Sequence, residues 1–177
     1  MSFLKDIFVL STLFVAAGFI YAQETPLTKY INQAKGFSID IPKSWEIKEN
    51  PSAQTAVSAE NPKDNDSDTF REILSISTEE NASEMTLEEA CNVRMLNLSN
   101  ELDQYRHAED DVLRIDNTDT HWFIYTYNKD NNSFTDLSYI LIKDKHIYNI
   151  TLTSLSTDFS RYKDIFRKIA ESFLFLK

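Results

Sequence analysis

Glycine is nearly absent from this chain. Its 177 residues contain two, and Gly18 sits in the apolar N-terminal run, which leaves Gly36 as the single glycine of the remainder. A P-loop, a dinucleotide fingerprint and a Gly-x-Ser-x-Gly elbow each need several positions without a Cβ, so nucleotide cofactors and α/β-hydrolase chemistry are excluded. Cysteine is equally scarce. Cys91 stands alone, so no intramolecular disulfide can form and the fold must rest on core packing. Cys91 falls on the apolar stripe of a helix and is expected to be a small buried side chain; a reactive thiol and a dimer bridge are the alternatives. The three histidines, His107, His121 and His146, show neither His-x-His nor His-Glu-x-x-His spacing, which argues against a dedicated zinc site.

Basic charge is also short. Eighteen Lys and Arg face 28 Asp and Glu, for a net charge of −10. The deficit lies in residues 46–119, with 19 acidic against 6 basic residues, whereas residues 120–177 hold 6 against 8. Such a chain repels phosphate backbones, and nucleic acid is a poor partner.

The one long apolar run, Ile7 to Ile20, has the length of a secretory h-region and is short of the roughly 20 residues of a bilayer span. Residues 1–22 therefore read as a signal peptide cut at Ala22/Gln23, with an uncleaved anchor as the alternative. The expected destination is periplasmic or secreted. Residues 23–35 read as a flexible lead-in, and 36–177 as one domain large enough for a real core.

Within that domain, Phe37-Ser-Ile39-Asp-Ile41 alternates with period two and stops at Pro42, the pattern of a strand. Further strands are expected at Trp45–Lys48, Ala53–Ala59 and Phe70–Thr78. Thr86-Leu-Glu-Glu89 is a capping box, followed at helical spacing by Leu87, Cys91, Met95, Leu98 and Leu102. A second helix follows Thr157, with Phe159, Tyr162, Ile165, Phe166 and Ile169 as its stripe. Between the helices, residues 111–115 form a weak strand, and 120–128, 134–143 and 146–154 strong ones, with turns at Asn131-Asn132 and Asp144-Lys145. Strand 120–128 is apolar on both alternating sets, so both its faces must be covered. The expected fold is α+β, an antiparallel sheet between two helices.

Chemistry is thinly signalled. Asp64-Asn-Asp66-Ser-Asp68 imitates the start of a calcium loop but has Thr69 where glycine is required and Ser75 where the bidentate glutamate belongs. The carboxylate pairs Glu88/Glu89 and Asp110/Asp111 read as cap and loop charges. The aromatic set Trp122, Phe123, Tyr125, Tyr127, Phe134, Tyr139 and Tyr148 reads as core, with a ligand cleft as the alternative. No residue is assigned as catalytic, cofactor-binding or metal-binding, and no cofactor is expected.

Two stretches resemble a known family. Gly36-Phe37-Ser-Ile39-Asp-Ile41-Pro42-Lys-Ser-Trp45 is similar to the opening of PsbP-like proteins, the family of the extrinsic photosystem II subunit. Asp144 to Thr153, with Asp158, Phe159, Tyr162, Phe166, Ile169, Ser172 and Phe173, resembles the family's final hairpin and helix. The resemblance spans about residues 36–176. It implies an α/β/α sandwich and a non-enzymatic accessory role toward a protein or envelope partner. A small-molecule or lipid carrier with a pocket between sheet and helix is the second expectation. The shared residues Phe37, Ile39, Pro42, Trp45 and Phe173 are expected to pack.

Overall fold

The computed structural model describes residues 25–63, 65–66 and 68–177. The signal reading of residues 1–22 lies outside them. Ten strands and two helices follow in the order β1 (Leu27–Asn32), β2 (Phe37–Pro42), β3 (Glu46–Glu49), β4 (Thr55–Glu60), β5 (Ile73–Glu80), α1 (Leu87–Glu101), β6 (Asp103–Ile115), β7 (Thr118–Lys129), β8 (Asn132–Lys143), β9 (His146–Leu155), α2 (Phe159–Glu171) and β10 (Leu174–Phe175). They form a three-stranded sheet, β1-β2-β10, and a seven-stranded sheet, β3-β4-β5-β9-β8-β7-β6. Every pairing is antiparallel. The fold is α+β, with a large antiparallel sheet and two helices.

Pleat alternation splits the large sheet's side chains into two sets. Trp122 and Ile124 of β7, Leu137, Tyr139 and Leu141 of β8, and Ile150 and Leu152 of β9 share a core with Phe166, Ile169 and Ala170 of α2. Their neighbours in sequence, Phe123, Tyr125, Ile140 and Ile147, pack with Ala90, Cys91 and Leu98 of α1. The two alternating sets of β7 thus fall in different buried clusters, one containing α2 residues and the other α1 residues.

The family-like residues do pack. Phe37, Ile39 and Phe173 are fully buried and Trp45 nearly so; Phe37 stacks on Phe173 with ring centroids 5.2 Å apart. Ser172 ties α2 to β2, its Oγ accepting from the Asp40 amide at 2.8 Å and donating to the Ile169 carbonyl at 2.6 Å. Gly36 adopts φ +70° in the β1–β2 turn, a conformation that costs glycine nothing.

Several boundaries differ from expectation. The lead-in 23–35 contains β1, which pairs along its whole length with β2. Half its side chains are exposed and Tyr30 packs against the core, so the alternation is weak and pairing to β2 does most to hold it. The weak strand at 111–115 is the end of a 13-residue edge strand, β6. Backbone pairing with β7 carries it, interrupted by irregularities between Asp103 and Arg106 and between His107 and Glu109. Bulges and charges of this kind shield a sheet edge from pairing with other chains. Three hairpin turns share one design, with positive φ at both central residues: Asp116-Asn117, Asp130-Asn131 and Asp144-Lys145. That is the turn matching strand twist, built here without glycine. The second turn therefore lies one residue earlier than expected, and the first was not foreseen. The capping box is present: the Glu89 amide donates to Thr86 Oγ1 at 3.2 Å and the Thr86 amide to Glu89 Oε2 at 2.8 Å.

Candidate functional site

A groove on the α1 side of the large sheet

Past the patch covered by α1, the same face of the sheet turns polar. Ser75 and Ser77 of β5, Asn149 and Thr151 of β9, and Asp136 of β8 floor a cavity of about 390 Å³, with Arg94, Leu98 and Glu101 of α1 along its rim. Register assembles this floor: Ser75 pairs with Thr151, Ser77 with Asn149, and Asp136 with both Thr153 and Tyr125. Two residues further along each strand the same face becomes apolar. Ile73, Tyr127, Phe134 and Thr153, together with Phe70, line a second cavity of about 340 Å³, which Lys129, Asp130 and Asn132 around the β7–β8 turn also border. Tyr127 borders both, so the two adjoin, and they are taken together as a groove with a polar end and an aromatic end.

Asp136 is the unusual group. It is 5% exposed. Its Oδ2 accepts a hydrogen bond from the Tyr125 hydroxyl at 2.7 Å, while Oδ1 has no partner. Burial pushes its carboxyl up to about 6, against the smaller opposing effects of the Tyr125 and Thr153 hydroxyls and the Arg94 charge. The Tyr125 hydroxyl moves up as well, through burial and the nearby carboxylate. The sequence held one signal for this site, a lone acid inside the apolar run from Phe134 to Ile142.

The aromatic set is divided by the pleat. Trp122, Tyr139 and Tyr148 belong to the α2-side core. Phe123, Tyr125, Tyr127 and Phe134 form a near-parallel ladder on the α1 side, with successive centroids 5.6, 6.0 and 5.5 Å apart. Phe70 closes its end, edge-on to Phe134 at 4.9 Å. Core packing and cleft lining are thus both present, in different members of the set.

The other candidates do not converge on the groove. Cys91 is a buried residue of α1 itself, and burial, with a smaller effect of Asp110, pushes its thiol up to about 12, the reverse of an activated nucleophile. Asp110 contacts both His107 and His121 at 3.2 Å, linking β6 to β7 on an exposed surface. The ring nitrogen of His146 lies 2.9 Å from the Asp144 carbonyl in a hairpin turn. Of the calcium-like loop, Asp64 and Ser67 lie outside the described residues. Among the described residues no group of three metal-ligating side chains converges.

None of the curated proteins matches the sequence. Among solved structures, cyanobacterial PsbP from Synechocystis sp. PCC 6803 superposes with a TM-score of 0.65 at 18% identity, covering 88% of this chain and 95% of that one. LpqN, involved in cell envelope biogenesis of Mycobacterium tuberculosis, gives 0.64 at 11% identity, covering 86% and 91%. The Saccharomyces cerevisiae Ran-binding protein Mog1p gives 0.61 at 11% identity, covering 86% and 97%. At these identities the likeness is one of fold. The PsbP family model, however, matches residues 25–175 continuously, and the chain belongs to the PsbP family.

Proposed function

We propose that this protein is an exported, non-catalytic binding module that receives a protein or envelope partner in the groove between α1 and the sheet. The groove itself carries the reading: a preformed cavity of about 390 Å³ floored by a half-satisfied buried acid, with an aromatic cavity adjoining it. A non-catalytic role is supported by the raised Cys91 thiol, the reverse of an activated nucleophile. Relatives named as Ran-binding and as involved in cell envelope biogenesis support an accessory role. The envelope relative and the apolar run at residues 7–20 support a place outside the cytoplasm, and among the described residues no helix is long and apolar enough to cross a membrane. The two helix clusters support reading the sheet as sandwiched between α1 and α2.

The test is capture from envelope extract by the purified protein and by a Ser77→Trp variant, which fills the groove floor. A partner held by the first and lost by the second is expected; equal retention overturns the groove as the binding surface. Mass spectrometry of the exported protein tests the signal, an N-terminus at Gln23 being expected and an intact Met1 contradicting cleavage. A second reading, a small-molecule carrier, is favoured by the aromatic end of the groove. Native mass spectrometry would show a co-purifying molecule in the parent protein and none in Ser77→Trp.

A further inference from the structure

Two groups of opposite charge line the groove with hydrogen-bonding capacity unused, and they come from different elements. Asp136, on β8, leaves Oδ1 unbonded although the side chain is 5% exposed. Arg94, on α1, lines the same cavity and, among the described residues, makes no ion pair or hydrogen bond. Its charge nonetheless favours the ionised form of Asp136, so the two lie within electrostatic reach without forming a salt bridge. A buried carboxylate with an unmet oxygen is costly, and a ligand that meets it recovers that cost.

The charge pattern narrows the ligand. A simple cation drawn to Asp136 also meets Arg94, and a simple anion drawn to Arg94 meets Asp136 and Glu101. A small molecule bearing both signs satisfies both groups. Beyond Asp136 the floor passes to Tyr127, Phe134 and Phe70, which offer ring faces and edges to an apolar group.

We infer that the groove binds a small zwitterion with an apolar side group, the class of free aromatic or branched-chain amino acids. The ammonium sits at the Asp136 carboxylate, the ligand's carboxylate on the Arg94 guanidinium, and the side group against Tyr127 and Phe134. The inference rests on the groove being the binding site. Besides Arg94 and Glu101 of α1, the groups facing Asp136 are Tyr125 and Tyr127 of β7 and the Thr153 hydroxyl of β9. Binding is therefore strongest where Asp136 is ionised and weakens as the pH falls through about 6.

Calorimetric titration of the purified protein tests this with L-phenylalanine, N-acetyl-L-phenylalanine, L-phenylalanine methyl ester and phosphoethanolamine at neutral pH. L-phenylalanine is expected to saturate, and each of the other three, lacking the ammonium, the carboxylate or the apolar group, to bind about tenfold more weakly or worse. Asp136→Asn should remove the preference for L-phenylalanine over its N-acetyl form, and Arg94→Gln the preference over its methyl ester. No heat from L-phenylalanine at about 10 mM, or equal binding of all four probes, overturns the inference. Tighter binding of phosphoethanolamine overturns the amino-acid class in favour of a lipid headgroup. The groove as a binding surface fails separately, if Ser77→Trp keeps every partner captured from envelope extract.

Discussion

The two faces of the large sheet use the same strands for different ends. On the α2 side, Trp122, Leu137, Tyr139, Ile150 and Leu152 join Phe166 and Ile169 in a continuous apolar core, and the Arg167 guanidinium lies over the Trp122 ring at 4.7 Å. On the α1 side, the buried cluster ends at Tyr125, Ile140 and Ile147, and the floor beyond carries hydroxyls, an amide and a buried acid before the aromatic end at Tyr127 and Phe134. A half-satisfied polar floor adds nothing to stability that an apolar one would not add more cheaply. The α2 face thus carries the larger apolar core, while the α1 face leaves a polar floor beside its smaller one.

The largest expected effect breaks the α2 face. Phe166 is fully buried and packs against Trp45, Phe159 and Tyr162. Phe166→Ala should destabilise the domain by about 3–5 kcal/mol in urea unfolding. A loss below about 1 kcal/mol would mean this face does not hold the fold.

The next effect probes the α1 face by pH. The folded-state carboxyl of Asp136 is raised to about 6, above its unfolded range near 4. The folded protein thus holds this proton more tightly. The favourable contribution is complete below about pH 4 and is lost as the pH rises through about 6, where the folded state bears the cost of burying the charge. Asp136→Asn removes that cost. The variant should gain on the parent by about 3 kcal/mol between pH 4 and pH 7, read from urea midpoints at each pH. A constant difference across that range would contradict the burial of this carboxyl.

Two smaller effects mark how the elements are fixed. Thr86→Ala removes the cap of α1 and should cost about 1 kcal/mol; no loss would show that packing alone sets where the helix begins. Lys145 holds φ 63° in the β8–β9 turn, and Lys145→Gly should raise stability by about 0.5–1 kcal/mol. A drop in midpoint would mean that the Lys145 side chain contributes more than its strained backbone costs.

Much of the fold was legible where physical signals are local. The capping box, the alternation around Phe37 and the two-faced strand at 120–128 depend on neighbours in sequence, and each was found. β1 and most of β6 carry little apolar alternation, with half of the β1 side chains and most of the β6 ones exposed, and their partners, β2 and β7, supply what holds them. The groove was not legible for a related reason. Ser75, Ser77, Asp136, Asn149 and Thr151 are unremarkable strand residues until register brings β5, β9 and β8 together. Only Asp136, an acid in the run Phe134–Ile142, departed from its local pattern.

The central claim is that the α1 face is built around a buried, incompletely satisfied acid. Carbon-13 NMR titration of the Asp136 carboxyl in the free protein tests it directly. The account predicts a midpoint near 6 that moves down when a zwitterion pairs with the carboxylate. A midpoint at or below the ordinary value near 4 would show a solvated or fully paired group and contradict the account.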